Sequence, residues 1–454
     1  MANQGTAIEG MDMLQGSIGD KIIKYALPVA ATGILEQLFN ASDVAIVGNF
    51  SGEANTVAVA AVGSNSPLVW LLLNFFLGIA MGITVVIAHG IGSGDNKTVR
   101  RAVHTSVIMA VVLGIVVAIA GELVVDRVIA SLNVPEEVFP YALLYMRIYL
   151  LGLPVILLYN FIAAIFRSIG ETQMPLKALA VSGVINVLLN LFFVIVLGMT
   201  VDGVAVATVI ANGVSAVFLL VKLQKSSQII RLDRRVLKFA PEVFGKIIRI
   251  GLPAGIQSAV FAIANIVIQA AINSLGTIVI AASAAAFNIE IFAYLLLNSF
   301  SQACTAFVGQ NFGAGQLKRC KKILLICLGE DFVATALLVG FILLTGKYLI
   351  SIFTDDAQVI ETGYLRLMMV FSAYTFSMLY ENMSGYLRGM GISLVPAALT
   401  ILGVCGVRLF WIFAIFPAYG TFTAIMMAYP VSLSATALLI FVALLTCHPN
   451  RKTE

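Results

Sequence analysis

Apolar runs of helical length recur along the whole chain, separated by short polar or Gly- and Pro-containing breaks. Each run is long enough to cross the roughly 30 Å of hydrocarbon in a bilayer as an α-helix, which takes about 20 residues. The runs are continuous rather than alternating, which disfavours transmembrane β-strands. We therefore predict an all-α fold with twelve membrane-spanning helices, at approximately 22–50, 57–88, 102–122, 139–166, 176–199, 201–223, 246–274, 278–309, 322–346, 359–387, 394–417 and 420–446.

The composition agrees with a polytopic membrane protein. Of the 454 residues, 60% are hydrophobic and only 11% are charged, with a mean hydropathy of +1.01, whereas a soluble globular domain carries about 25% charged residues. Residues 1–20 contain no apolar segment of the signal-peptide kind, so we expect the first span to act as the membrane anchor.

The distribution of positive charge predicts the orientation. Most of the 27 Lys and Arg residues fall in the breaks on one side of the predicted bundle, the side that also holds both termini. The positive-inside rule then places both termini in the cytoplasm, and we predict a multi-pass protein of the plasma (inner) membrane. The net charge of +4 is thus a topological signal, and we expect no nucleic-acid partner.

The chain contains an internal duplication. The segment KIIKYALP at Lys21 matches KIIRIGLP at Lys246, and two further pairs, IGSGDNKTVRR with FGAGQLKRCKK and FRSIGETQMP with LRGMGISLVP, follow in the same order. Each half holds six predicted spans, so both halves cross in the same sense and are related by a pseudo-two-fold axis along the membrane normal. We predict an N-terminal six-helix bundle over 1–223, a cytoplasmic linker over 224–245 and a C-terminal six-helix bundle over 246–454.

Polar residues at membrane depth are the candidate functional residues. A carboxylate near the bilayer centre costs about 2.5–3.5 kcal/mol, so it needs a partner, a water-filled cavity or a proton. In the first span Glu36, Asn40 and Asp43 have i, i+4, i+7 spacing and share one helical face. Polar edges in the fifth and sixth spans complete the set for the first half: Asn186, Asn190, Thr208 and Asn212.

Two kinds of ion suit these residues. Oxygen ligands from Asp, Asn and Thr fit a hard cation such as Na⁺, and a lone buried Asp fits a proton. The spacing leaves both open, and the alternative interpretation for Asn and Thr is ordinary interhelical hydrogen bonding.

The second half carries a different polar set. Its candidates for lining a substrate cavity are Gln257, Asn265, Glu290, Ser377 and Glu381, and the two glutamates are candidate contacts for a cationic substrate. Glu330 and Asp331 are adjacent on the ninth span and face different ways, so we expect a structural or interfacial role for both. We find no metal-ligand cluster, nucleophile motif or phosphate-binding loop, and therefore predict neither an enzyme nor a cofactor.

The chain resembles the multidrug and toxic compound extrusion (MATE) transporters, in the branch of the DNA-damage-inducible protein F type. The resemblance rests on the two six-span halves that each open with LP, QLFNASDVAIVG in the first span, VGQNFGAGQ after the eighth, and the two RxxG segments. It implies two six-helix bundles arranged as a V around a central cavity that opens alternately to either side.

The resemblance also implies residue roles. Asp43 matches the first-helix acid used for cation coupling, Pro28 matches a proline associated with bending of that helix, and Asn186 and Thr208 match further members of the cation site. Asn190 departs from the pattern, because family members often have Asp there, and this favours protonation of Asp43 over Na⁺ binding. The Asp of a carboxy-terminal cation site is replaced by Ser377, so the resemblance locates coupling in the first half.

From these observations we predict an antiporter, coupled to H⁺ or Na⁺, that exports amphipathic, often cationic organic compounds by alternating access. We expect it to work as a monomer in the lipid bilayer. The alternative is a flippase for lipid-linked sugars or polysaccharides; the mainly acidic charges at membrane depth disfavour an anionic pyrophosphate headgroup.

Overall fold

The structure, a computed structural model, describes residues 10–52, 55–132, 134–226 and 229–447, and this part of the chain contains helices and no strand. In the first half we number six long helices in chain order. They are α1 (Gly19–Phe50), α2 (Asn55–Gly92), α3 (Asn96–Ser131), α4 (Phe139–Ser168), α5 (Gln173–Val196, ending in a π-helical turn) and α6 (Val201–Lys225).

Seven helices follow in the second half. They are α7 (Pro241–Asn273), α8 (Thr277–Gly313), α9 (Leu317–Ser351), α10 (Ala357–Ser372), α11 (Tyr374–Gly389), α12 (Leu394–Tyr419) and α13 (Phe422–Thr446). Eleven of these thirteen numbered helices are individually long and apolar enough to cross a membrane.

The remaining two, α10 and α11, together correspond to the tenth predicted span. Each has 16 residues, fewer than the roughly 20 needed to cross the hydrocarbon core alone. They are separated at Ala373, whose φ of −105° and ψ of 7° break the helix while its N–H still bonds to Val370. Both pack against α8, so all twelve predicted spans have a helical counterpart and the tenth has an interruption that hydropathy did not reveal.

Contacts divide the chain into two compact units. The first contains Ala31–Ile248 and the second contains Met13–Ala30 together with Arg249 onward. Helix α1 therefore contributes residues to both, and the change of unit comes two residues after Pro28, which lies inside the helix. The predicted boundaries 1–223, 224–245 and 246–454 stay a prediction; they assigned all of α1 to the first half.

The two halves repeat local structure at the duplicated segments. The turn after α2 has Gly94 at φ 70°, and the turn after α8 has Gly315 at φ 71°, 221 residues later. The turns after α4 and α11 likewise have Gly170 at φ 81° and Gly391 at φ 82°. A left-handed φ is strained for residues with a side chain, so the glycine in each pair is required by the turn.

Interhelical hydrogen bonds follow the same repeat. In the first half the Thr84 hydroxyl on α2 donates to the Ala164 carbonyl on α4 at 3.3 Å. In the second, the Thr305 hydroxyl on α8 donates to the Gly385 carbonyl on α11 at 3.0 Å. Both residues of the second bond lie 221 positions after those of the first, which confirms the duplication deduced from the sequence.

Each unit has its own apolar core. In the first, α4 packs against α2, α3 and α6, around fully buried residues such as Val47, Leu153 and Val204. In the second, α8 packs against α9, α10 and α11, with Leu297 and Leu367 fully buried. These cores fix the positions of the helices that carry the polar residues.

Candidate functional site

The candidate site of the first unit is centred on Asp43 of α1, whose side chain is buried with 5% exposure. Glu36 and Asn40 precede it on the same helical face, and they are more open: Glu36 is partly buried and Asn40 is exposed. Burial along this face therefore increases from Asn40 to Asp43, and only Asp43 is fully enclosed by protein.

Helices α5 and α6 supply the groups that surround this carboxylate. Asn190 is fully buried on α5, and its Nδ2 donates to Asp43 Oδ1 at 2.5 Å. Thr208 on α6 donates its hydroxyl to Asp43 Oδ2 at 3.1 Å. One helix pair thus provides a hydrogen-bond donor to each carboxylate oxygen.

Asn186 links these donors to one another. It lies one helical turn before Asn190, accepts a hydrogen bond from Asn190 Nδ2 at 3.2 Å and donates to Thr208 Oγ1 at 3.3 Å. The structure therefore brings together all four residues that the sequence analysis assigned to cation binding, as one connected hydrogen-bond cluster. We call Asp43, Asn186, Asn190 and Thr208 the Asp43 cluster.

The charge of Asp43 has no partner of opposite sign. Among the described residues, no Lys, Arg or His forms an ion pair with it. An ionised carboxylate in such surroundings costs several kcal/mol even after relaxation. In addition, Asn190 Oδ1 is buried without a hydrogen-bond partner. The cluster is therefore chemically suited to take up a small cation or a proton.

A second polar layer lies next to the Asp43 cluster. Asn212 on α6 donates to the Thr208 carbonyl at 2.9 Å, and Ser215 donates to Ser182 on α5 at 2.5 Å. Ser182 was not among the predicted site residues, although this serine precedes Asn186 by one helical turn and so continues the same polar edge. The Ser215–Ser182 bond joins α6 to α5 one helical turn from Asn186, whereas the Asn212 bond lies within α6.

The structure gives the positions of the other candidate residues, and their functional roles stay predictions. Pro28 lies inside α1, in the part of that helix that belongs to the second unit, and is partly buried. Gln257 and Asn265 are partly buried on α7. Ser377 on α11 is buried with 4% exposure.

The two acidic cavity candidates of the second unit both face arginines. Glu290 on α8 accepts hydrogen bonds from Arg366 Nε at 2.7 Å and Nη2 at 2.9 Å, and both side chains are less than one tenth exposed. Glu381 Oε2 lies 3.6 Å from Arg388 Nη2. Arg366 already compensates the charge of Glu290. The contact of Glu290 with a cationic substrate stays a prediction, and the substrate would have to compete with Arg366 for the carboxylate.

Comparison with known proteins links this architecture to a transporter family. The MatE family model matches residues 28–192 and 253–413, more than two thirds of the chain. The chain is 26% identical to "Probable multidrug resistance protein YpnP" of Bacillus subtilis over 89% of this chain and 88% of the relative. It is 27% identical to "Probable multidrug resistance protein NorM" of Thermotoga maritima, over 86% and 84% of the two chains.

A solved structure shares the fold. An outward-facing multidrug resistance MATE family transporter of the MOP superfamily superposes with a TM-score of 0.89, covering 99% of this chain and 100% of that one at 20% identity. At that identity the likeness concerns the fold, which contains two bundles and twelve transmembrane helices.

Proposed function

Because the chain belongs to the MatE family of multi-pass membrane transporters, we propose that it exports amphipathic, often cationic organic compounds in exchange for protons. The observation that carries this proposal is the Asp43 cluster: a buried carboxylate with a donor on each oxygen and no basic partner among the described residues. Such a group is costly when ionised, so its occupancy by a cation changes the relative free energies of conformations that bury or expose it.

The hydrogen-bond pattern favours a proton over Na⁺ as the coupling ion. Hard metal ions take several oxygen ligands, whereas Asp43 faces the N–H of Asn190 and the hydroxyl of Thr208. The orientation of the Asn190 amide is supported by two acceptors, Asp43 Oδ1 and Asn186 Oδ1, so the N–H group belongs on the side of the carboxylate. A proton needs only one free lone pair of Asp43.

Exchange follows from competition between the two ligands. A proton that enters from outside neutralises Asp43, which favours the conformation that releases substrate outward; loss of that proton to the cytoplasm favours the return. Coupling of this kind is reciprocal, so bound substrate must weaken proton binding by the same factor. Pro28, near the point where α1 passes from one unit to the other, is the proposed place where α1 bends.

The remaining features of the proposal follow the expectations from the sequence. The transporter works as a monomer in the plasma (inner) membrane with both termini in the cytoplasm, and it needs no cofactor. The candidate substrate contacts are Glu36, Asn40, Asn212, Gln257, Asn265, Glu290, Ser377 and Glu381.

Transport in liposomes tests the proposal. Purified protein is reconstituted, and movement of ethidium is followed while a pH gradient and a Na⁺ gradient are imposed separately. We expect the pH gradient alone to drive transport, and Asp43→Asn to abolish it. Asp20→Asn is the matched control, because it makes the same chemical change on α1 at a half-exposed position, and it should keep the wild-type rate.

A second variant tests the choice of ion. Asn190→Asp adds a carboxylate within hydrogen-bond distance of Asp43, which increases the negative charge and the number of oxygen ligands. We expect this variant to gain transport driven by a Na⁺ gradient. Wild-type transport driven by Na⁺, or an Asp43→Asn variant as active as wild type, would refute the proposed coupling; inactivity with organic cations under both gradients would redirect the assay to lipid-linked substrates.

A further inference from the structure

The second unit contains a buried carboxylate that the proposed cycle does not use. Asp331 on α9 has no solvent exposure. Its Oδ1 accepts a hydrogen bond from the Thr335 hydroxyl, one helical turn later, at 2.8 Å. Its Oδ2 accepts a hydrogen bond at 2.6 Å from Nδ2 of Asn382, which is also fully buried, on α11.

Asp331 differs from the other buried acids of this unit because no cation compensates it. Glu290 is paired with Arg366, and Glu381 lies 3.6 Å from Arg388. Among the described residues no Lys, Arg or His forms an ion pair with Asp331.

The titratable groups around Asp331 offer no compensating charge either. Tyr374 and Glu381 on α11 interact electrostatically with Asp331, and so does Cys327 on α9. The charged residues of α8 and α10 are Glu290, Arg366 and Glu361. Arg366 is paired with Glu290, and Glu361 is paired with Lys347 of α9. Every remaining influence on Asp331 is therefore neutral or negative, so an ionised Asp331 is held by two hydrogen bonds alone.

The adjacent residue Glu330 has different surroundings. It is only partly buried, and it lies close to the start of α1, at Gly19. Adjacent positions on a helix face in different directions, so only Asp331 points to α11. Glu330 is thus a matched reference for a carboxylate on the same helix.

Asn382 fixes the direction of one of the two hydrogen bonds to Asp331. Its Nδ2 donates both to Asp331 Oδ2 and, at 3.1 Å, to the Met378 carbonyl, so two acceptors define the orientation of the amide. Its Oδ1 is buried without a hydrogen-bond partner, an arrangement that costs about 1–3 kcal/mol. Asn190 in the Asp43 cluster has the same buried, unpartnered Oδ1.

The two units thus contain the same set of groups: a buried Asp, a Thr hydroxyl on one carboxylate oxygen and an Asn amide on the other. The duplication does not explain this, because position 110, which lies 221 residues before Asp331, is Ala. The second set is therefore a separate feature of the carboxy-terminal half.

We propose that Asp331, held by Thr335 and Asn382, is a second proton-binding site, located in the second unit and distinct from Asp43. The proton comes from water and occupies a free lone pair of the carboxylate, and no other bond is made or broken. A Thr hydroxyl in a helix can turn to the carbonyl one turn earlier, which frees Thr335 Oγ1 to accept the new O–H of Asp331. A metal ion would instead meet the Asn382 N–H group, which is directed at the carboxylate.

Protonation at this site acts on α11. In the ionised state Asp331 binds Asn382 by a charge-assisted hydrogen bond, the strong class of such bonds; a proton weakens that bond and loosens the connection between α9 and α11. Asn382 is adjacent to Glu381, a cavity candidate, so the proton on Asp331 influences the position of a candidate substrate contact. This inference goes beyond the proposed function and rests on none of the residues of the Asp43 cluster.

Infrared spectroscopy tests the site without requiring transport. The protein in lipid nanodiscs is titrated with acid, and the C=O stretching band of protonated carboxyl groups is recorded as a difference spectrum in H₂O and in D₂O. We expect wild type to show a buried carboxyl band that Asp331→Asn removes and Glu330→Gln retains. Asp43→Asn should remove a different band.

A conservative variant distinguishes loss of the carboxyl group from loss of folding. Asp331→Glu keeps the carboxyl group, so its band should remain but move in frequency, which assigns the band to this position in a folded protein. Identical spectra for wild type, Asp331→Asn and Asp331→Glu would overturn the inference. Disappearance of the band on adding Na⁺ at constant pH would also overturn it, by showing a metal site.

The outcome is separable from that of the proposed function. If Asp331→Asn removes its band while Asp43→Asn leaves transport unchanged, the second proton site stands and the proposed coupling at Asp43 fails. The reverse pattern, with loss of transport in Asp43→Asn and no band assigned to Asp331, supports the proposed function and refutes the second site.

Discussion

Replacement of Arg366 should destabilise the protein strongly, and replacement of both members of its ion pair should not. Arg366 on α10 and Glu290 on α8 are 4% and 9% exposed at their side chains and are joined by two hydrogen bonds. The guanidinium also lies about 6 Å from the ring centres of Phe287 and Tyr429. Arg366→Met removes the positive charge and leaves the Glu290 carboxylate buried and uncompensated.

The expected magnitude follows from the geometry. Two unit charges about 4 Å apart at an effective dielectric constant of about 20 attract each other by about 4 kcal/mol. Desolvation offsets much of this in the intact pair, but once one partner is removed the remaining charge costs about 3–5 kcal/mol. The double variant Arg366→Met with Glu290→Leu has no buried charge to compensate and should be close to wild type in stability.

Thermal unfolding in detergent micelles measures these effects. Cys304, Cys320, Cys327 and Cys405 are free and buried, so a thiol-reactive fluorescent dye reports their exposure on unfolding. We expect Arg366→Met to lower the melting temperature by several degrees or more and the double variant to restore it. The control is Lys347→Met, because Lys347 and Glu361 form an ion pair that is more than half exposed and contributes about 1 kcal/mol or less.

Equal losses in the single and double variants would refute this reasoning, because the cause would then be lost packing rather than an unpaired charge. The result also bears on Glu290 as a candidate substrate contact. If the pair is a structural clamp between α8 and α10, then Glu290→Gln should lower stability as well as transport, since it leaves Arg366 without its partner.

Two further predictions concern helix packing and a helix terminus. Gly385→Ala should lower stability by about 1–3 kcal/mol, measured by the same dye assay, because a Cβ there would lie 2.6 Å from the Ser301 carbonyl oxygen. Gly340→Ala is the control and should be neutral or stabilising, because a Cβ there meets nothing within 4 Å. Equal losses of stability in the two variants would contradict the role of close helix approach. Asp95 caps α3, and hydrogen bonds from the side chain and backbone N–H of Thr98 hold the pKa of its carboxyl below the usual value. A lowered folded-state pKa gives stability that is present above the unfolded pKa of about 3.9 and is lost as the pH falls through the folded-state value. Asp95→Asn should therefore flatten the acid side of the profile of melting temperature against pH, and an unchanged profile would contradict this.

The sequence by itself determined the class of the protein and most of its helices. Continuous apolar runs leave only helices as spanning elements, because a backbone in hydrocarbon must satisfy its own hydrogen bonds. The duplication was also visible, and glycines such as Gly94 and Gly315 confirm it because their turns require a left-handed φ. Helical periodicity placed Asn186 and Asn190 on one edge, since residues four apart share a face.

Tertiary structure decided which of these faces meet. Periodicity defines the face of a helix but not the neighbour that packs against it, so contacts between residues distant in the chain, such as Asp43 with Asn190 and Thr208, required the packing of α1, α5 and α6. In the sequence, only the resemblance to a known family grouped these residues into one site. The break at Ala373 was likewise invisible in the sequence, because no Gly or Pro lies next to it to mark the end of a helix.

The buried acids show most clearly what the sequence determines and what only the tertiary structure determines. From the sequence, Glu290 and Asp331 were both acids within apolar spans, and only Glu290 was chosen as a functional candidate. The structure gives Glu290 an arginine partner and leaves Asp331 with two neutral donors. Whether a buried carboxylate is compensated depends on side chains from other helices, because a charge is stabilised by what lies within a few ångströms in space rather than by its neighbours along the chain.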